Sequence, residues 1–321
     1  MQTQTYSLDA LALFDLADLA FALPPVASSG EIVGYVTAQT AALTGLIEGT
    51  PVAAGLHDVT ASALGIGGHA KGVVAIVAGT YSINEVVSDV PKTDARWLCR
   101  NAIEPGKWNN MALSPASAAN YDWFLETICQ ADFGRAAELG QSVHDLIAPE
   151  IDAALNKPTT LIFHPYLFGS PHGAQASASF LGLRGWHNRG DMLRAILEGI
   201  VFNHRIHIDA LRDGFAVREA RLTGGVARNP AFAQMFADVL GMPVTTSQTE
   251  EAAAWGAALC AGAAAGVYAS PMADPRDMSL LGKTYFPDSA RHEAYQTRYE
   301  LHCKLAAALA PFWPEIEALV P

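Results

Sequence analysis

Basic clusters are the first thing this 321-residue sequence lacks. Lys and Arg total 20 against 32 Asp and Glu, a formal charge of −12, and no basic run is interleaved with aromatics. A phosphate backbone demands clustered cations, so no nucleic-acid partner is expected. Cysteine is scarce too: Cys99, Cys129, Cys260 and Cys303 stand far apart, with no C-x-x-C pair and no zinc-like spacing. Such thiols read as reduced cysteines of a cytoplasmic protein. The first thirty residues carry Asp9, Asp15 and Asp18 but no Lys or Arg, and so do not read as a secretory signal. Long hydrophobic runs are missing as well. The most apolar window, residues 252–268, is mostly Ala and Gly and too short and weakly hydrophobic for a bilayer, so no membrane partner is expected. Neither a G-x-S-x-G elbow nor a P-loop occurs, which removes support for a serine hydrolase or a P-loop kinase.

What is present fits a compact α/β protein, with 50% hydrophobic and 16% charged residues. Residues 10–23 have helical spacing until Pro24-Pro25 stop them. Residues 31–36 read as a strand, and 37–46 as a helix capped by Thr37. The apolar run 52–56 predicts a buried strand, with His57-Asp58 at its end and a helix over 59–66. Two strand-like runs, 73–78 and 83–87, meet at Gly79-Thr80, and residues 91–113 predict antiparallel sheet. Helices are expected over 117–130 and 190–213, with a strand over 160–168 between them. In the last third a strand ends at Thr223, Gly224-Gly225 turn, and Asn229-Pro230 begin a helix that Gly241 closes. A strand over 243–246 and an Ala-rich helix from Glu250 to Gly266 complete an α/β succession.

Three places hold residue types that phosphoryl chemistry needs. In Leu222-Thr223-Gly224-Gly225-Val226-Ala227-Arg228-Asn229-Pro230, two glycines let a backbone approach a flat or charged ligand, and the helix start behind them offers free N–H groups. The plain alternative is a tight turn needing positive φ. Gly79-Thr80 at a hairpin tip presents amides and a hydroxyl suited to a phosphate, although most such pairs are merely turns. Asp58, past the end of a strand, is placed to take the proton of an attacking hydroxyl, or simply to cap the next helix. Other patterns read as structural. Gly65-Ile66-Gly67-Gly68-His69-Ala70 follows a helix and is not a dinucleotide loop. His204 and His207 share a helix face without a third ligand, so no metal site is expected. His57 beside Asp58 is expected not to face it, as sequence neighbours rarely do.

Taken in order, these segments resemble the FGGY carbohydrate kinases of the actin-like (RNase H-like) superfamily. The matching text is Gly49-Thr50-Pro51-Val52 through Asp58, Ala78-Gly79-Thr80, Leu222 to Pro230, and Glu251 to Gly256. Leu23-Pro24-Pro25 through Gly55, and Ser114-Pro115-Ala116-Ser117 before Trp123, are most similar to the L-xylulose kinase branch. The resemblance implies an actin-like ATPase domain, a mixed sheet flanked by helices, over residues 58–321, with 1–57 the remnant of a sugar-binding first domain. It implies ATP with Mg²⁺ and transfer of a phosphoryl group to a ketose or polyol such as L-xylulose. By the same resemblance Asp58 is the general base, Gly79 and Thr80 the second phosphate loop, and Gly224, Gly225 and Asn229 the adenosine site, with Asp122 near the nucleotide. Val59 stands where glycerol kinases carry Gln, which argues against glycerol. The family's first phosphate loop, Asp-x-Gly-Thr, is absent. The expectation is therefore a truncated or split kinase, poor in activity alone, whose residues 1–57 are weakly anchored or packed on a partner chain or second copy. A non-catalytic nucleotide-binding module and a relative of acetate kinase are the alternatives.

Overall fold

The computed structural model describes residues 5–249, 251–278, 280 and 282–319. Its strands are β1 (Ile32–Tyr35), β2 (Pro51–Ala53), β3 (Val73–Ala78), β4 (Ser82–Ser88), β5 (Leu98–Asn101) and β6 (Trp108–Ser114). They continue with β7 (Ile162–His164), β8 (Ser179–Leu181), β9 (Glu219–Thr223), β10 (Val244–Ser247) and β11 (Gly282–Tyr285). Helices α1 (Leu8–Leu13), α2 (Ala38–Thr44), α3 (Asp58–Gly65), α4 (Ala119–Ile128), α5 (Gln130–Glu138) and α6 (Val143–Leu155) come first. After them come α7 (Arg189–Gly214), α8 (Pro230–Leu240), α9 (Ala252–Ala264), α10 (Ser289–Leu309) and α11 (Trp313–Glu317).

Seven strands form one sheet in the order β11-β10-β9-β3-β4-β6-β5. β3, β4, β6 and β5 pair antiparallel in that order, whereas β9 runs parallel to β3 and β10 parallel to β9. This is the expected mixed sheet, and its register positions the rest. Val73 pairs with Glu219 and Val77 with Thr223, so β3 and β9 end side by side. The turns that leave them, Gly79-Thr80 and Gly224-Gly225, therefore adjoin. Open α/β sheets place ligands at such carboxyl ends.

Helices α7 and α8 cover one face of the sheet. Leu193, Ile196, Ile200, Phe232 and Phe236 are buried there against Val74, Ile76 and Leu222. The 26 residues of α7 begin at a capping box, Asn188 with Asp191. His204 and His207 are buried in this layer, with ring nitrogens on Asn84 and Ser117 and on Ser114, which is the packing role expected of them. On the opposite face α3 packs against α9 without side chains between their backbones. A Cβ at Gly256 would lie 2.0 Å from the Ala61 carbonyl oxygen, and one at Gly65 would lie 2.1 Å from that of Ala252. Gly65 and Gly256 are thus contact glycines. No helix among the described residues is long and apolar enough to cross a membrane.

The amino-terminal segment departs from expectation in two respects. Residues 52–56 are not a buried strand: β2 ends at Ala53, pairs only with β1, and leaves Val52 43% exposed. An apolar run specifies a strand but not what will cover it, and here α9 covers the segment only in part. Among the described residues up to 57 only Val36 is buried, while Leu13, Phe21, Leu43 and Ile47 are each at least 80% exposed. The region predicted as one helix over 10–23 is α1 followed by a 3₁₀ turn, Ala17–Ala22. Thr37 caps α2 as predicted, accepting from the Thr40 amide. The strand over 160–168 shrinks to β7, and Glu250, the expected start of α9, lies outside the described residues.

Candidate functional site

The turns after β3 and β9 line a cleft of about 850 Å³, together with the first turns of α4 and α8 and one side of α6. Gly79, Thr80, Asp122, Gly225 and Asn229, five of the seven residues singled out from sequence, meet there. Gly224 lies just behind, in an adjoining cleft of about 520 Å³ that also takes in Thr223, Ser247 and Glu251.

The three glycines of the two turns have different reasons to be glycine. Gly224 has φ 113°, and a Cβ there would sit 2.2 Å from the Ala78 carbonyl oxygen, so the plain turn reading accounts for it. Gly79 and Gly225 have no positive φ, and a Cβ on either would meet nothing within 4 Å. Neither backbone geometry nor packing requires glycine at these two positions. What glycine preserves there is open space in front of the chain, which a ligand can use. The hairpin tip is held from below by the Ala118 amide, which donates to the Gly79 carbonyl at 3.0 Å. Thr80 is exposed at its crest.

Asn229 serves as helix cap and cleft wall together. Its Oδ1 accepts from the amides of Ala231 (2.9 Å) and Phe232 (3.2 Å), which leaves its NH₂ for a ligand. Asp122, in the first turn of α4, has its carboxyl pushed up, chiefly by desolvation; His144 opposes that rise and Glu126 adds to it. The far wall was not legible as a site. Ser142, His144, Asp145 and Asp152 come from α6 and its cap, and Arg228 comes from the turn before α8. The His144 ring stacks on Tyr121 at 5.8 Å, extending a flat wall along the cleft. One signal was available: Ser142 and Asp145 have the three-residue spacing of a helix start, and Ser142 Oγ does accept from the Asp145 amide.

Asp58 stands apart. It lines neither cleft. It is also not the cap of α3: His57 holds that position, and Asp58 is the first helical residue. Its side chain is 80% exposed, with Oδ1 accepting from the Val59 amide at 2.7 Å. The expectation that His57 would not face Asp58 is corrected, since His57 Nε2 lies 3.4 Å from Asp58 Oδ1. The bend at the helix start, with His57 extended and Asp58 helical, turns the two side chains toward each other. Among the described residues no group of three or more His, Cys, Asp or Glu forms a metal site.

Comparison with known proteins bears on this geometry. Residues 74–265 match the carboxyl-terminal domain of the FGGY family of carbohydrate kinases, and residues 1–65 match the family's amino-terminal domain. The second match narrows the expectation of a lacking first domain, since a part of that domain is present through α3. The chain is 35% identical over 305 residues to L-xylulose/3-keto-L-gulonate kinase of Escherichia coli K12, covering 94% of this chain and 59% of that protein. It is 30% identical over 312 residues to erythritol kinase of Brucella abortus, covering 92% of this chain and 58% of that protein. Among solved structures, xylulose kinase from Rhodospirillum rubrum aligns with a TM-score of 0.73 at 30% identity, over 93% of this chain and 60% of that one. Gluconate kinase from Lactobacillus acidophilus, at 23% identity, shares the fold with a TM-score of 0.81 over 97% of this chain and 62% of that one. The chain thus spans about three fifths of the length of these relatives. With family domains matched over most of its length and their sugar-kinase fold reproduced, the chain belongs to the FGGY family of carbohydrate kinases.

Proposed function

We propose that this chain carries the nucleotide site and the general base of an ATP-dependent kinase for a ketose or polyol, with L-xylulose the leading candidate. The observation that carries the reading is the pair of unobstructed glycines. Gly79 and Gly225 keep open space on two adjoining turns, beside the free amide of Asn229. In this reading the Gly79-Thr80 tip holds the β- and γ-phosphates. Gly224 shapes the turn, and Gly225 and Asn229 border the adenosine, with Asp122 offering an acceptor to ribose or base. Mg²⁺ would ride mainly on the phosphate oxygens, as it does where few protein ligands are supplied. In the transfer, a sugar hydroxyl oxygen attacks the γ-phosphorus in line and the bond to the ADP oxygen breaks. The hydroxyl proton passes to Asp58.

The domain division proposed is a first-domain portion over residues 1–57 and a nucleotide-binding domain from 58 onward, with α3 at the junction, where the family's amino-terminal match runs on to residue 65. The exposed apolar side chains of the first portion fit a surface that a further polypeptide, or a second copy, covers. Asp58 then becomes catalytic only when that cover brings a sugar to it. Accordingly, with Mg²⁺, ATP and L-xylulose or erythritol, the chain alone is expected to turn over far below the ~1–100 s⁻¹ usual for kinases. Positioning and charge stabilisation supply most of the barrier reduction in phosphoryl transfer, and Asp58 is exposed and lines neither cleft. A coupled ADP-release assay checks this. Sugar-dependent turnover in the ordinary kinase range would contradict the proposal that a further polypeptide is needed.

A further inference from the structure

Behind Asp58 lies a charged network that the nucleotide cleft does not use. Glu85, in the middle of β4, is only 1% exposed, a rare place for a carboxylate. Its Oε1 accepts from Arg100 Nη2 at 2.9 Å and Thr60 Oγ1 at 3.2 Å, and its Oε2 from Asn109 Nδ2 at 2.8 Å. His69 Nε2 stands 3.6 Å from Oε2. Burial pushes this carboxyl up, but His69, Asn109 and Arg100 together outweigh it and hold the group below the usual range. Thr60 lies in the first turn of the helix that Asp58 begins, so the start of α3 is keyed to the sheet through this carboxylate.

Arg100 is not spent on Glu85. Its other terminal nitrogen, Nη1, lies 3.4 Å from His57 Nδ1. A guanidinium only donates, so Nδ1 accepts and the imidazole proton sits on Nε2. That is the nitrogen facing Asp58 Oδ1 at 3.4 Å. Oδ1 also takes the Val59 amide, while Oδ2 has no partner among the described residues. The contacts therefore run in one direction. Glu85 fixes Arg100, Arg100 fixes the tautomer of His57, and the protonated His57 Nε2 stands beside one oxygen of Asp58, the other having no partner among the described residues.

We propose that Arg100, anchored by Glu85, is a positioning residue that acts through His57 to aim the Asp58 carboxylate, leaving Oδ2 as the proton-accepting atom. The catalytic part of this rests on the reading of Asp58 as general base. A purely structural ion pair between β4 and β5 would leave His57 indifferent to Arg100, which separates the two cases.

The test is ¹⁵N NMR of the histidine-labelled chain at about pH 9, where an imidazole is neutral, with His57 assigned by comparison with His57→Gln. The wild type is expected to hold a higher Nε2–H to Nδ1–H ratio at His57 than the same chain in denaturing urea. Arg100→Met should lower that ratio by about fivefold, as expected for loss of one hydrogen bond, and Arg100→Lys, which keeps a cationic donor, should retain most of it. A ratio unchanged in Arg100→Met overturns the proposal. So does a wild-type ratio no higher than in urea, and this second reading stands even if Arg100→Met fails to fold. Because no nucleotide is involved, failure of ATP to bind would remove the kinase reading while leaving this result intact. An unchanged ratio would end the positioning role without touching nucleotide binding.

Discussion

Acidification from pH 6.5 toward 4 is expected to strip this chain of much of its folding stability. His204 and His207 are buried in the α7 layer, where desolvation, with a neighbouring histidine in each case, lowers them from 6.5 to about 3 and about 4. His164 and His172 are lowered by burial too, and His302 well below its ordinary value. A folded-state value below the unfolded one means that the unfolded chain takes up protons first. Stability is unaffected above about pH 6.5 and falls as pH drops from there to the folded values. Each such histidine contributes a slope of roughly 1 kcal/mol per pH unit across its window, so two or more acting together rival the whole stability of an ordinary domain. Urea unfolding at pH steps between 7.5 and 4.5 checks this. A midpoint that stays flat over that range would mean these rings find water or partners that the fold does not show.

Gly256→Ala is expected to destabilise the protein by about 3 kcal/mol, against the direction that helix propensity alone dictates. Propensity favours Ala over Gly inside a helix by about 1 kcal/mol. The contact reverses the sign, because the new Cβ would stand 2.0 Å from the Ala61 carbonyl oxygen and 2.7 Å from its carbon. α3 and α9 would have to move apart by more than an ångström along a backbone-to-backbone seam, and overpacking of that kind costs about 1–3 kcal/mol or more. Gly134 in α5 is the matched control. A Cβ there meets nothing within 4 Å, so Gly134→Ala should be neutral or stabilising by up to about 1 kcal/mol. The urea midpoint of Gly256→Ala should fall while that of Gly134→Ala holds or rises. A stable Gly256→Ala would show that α3 and α9 are not packed as described.

The residues that announced themselves in the sequence were those whose local geometry is self-contained. The cap at Thr37, the left-handed Gly241 and the β3–β4 hairpin rest on neighbours within a few positions, and each lies where the pattern put it. The Gly224-Gly225 turn was legible as one motif, but its two jobs were not. Only the Ala78 carbonyl, brought alongside by the β3–β9 register, tells the glycine that the turn requires from the one that faces open space. Burial was harder still. Residues 52–56 looked like a core strand because an apolar run carries no information about what will cover it. Conversely, nothing within the run 83–87 marks Glu85 as buried; α3 and Arg100, distant in sequence, close over it. The α6 wall went unread because Asp145 and Asp152 are seven residues apart on a helix, a spacing as common on solvent faces as in sites.

In the proposed function the cleft between the two glycine turns binds a nucleotide. Calorimetry of Mg·ATP with wild type and Gly225→Asp tests it most directly. The substitution is clean, because a side chain at Gly225 meets no protein atom and φ there is ordinary, so thermal unfolding should match the wild type. It would place a carboxylate in the ligand's space, where both volume and charge oppose a triphosphate. Saturable binding by the wild type, reduced at least about 100-fold in the variant, is the predicted result. A folded wild type that takes up no Mg·ATP, or a Gly225→Asp variant that binds it equally well, would contradict the claim and with it the assignment of this chain as the nucleotide-binding part of a kinase.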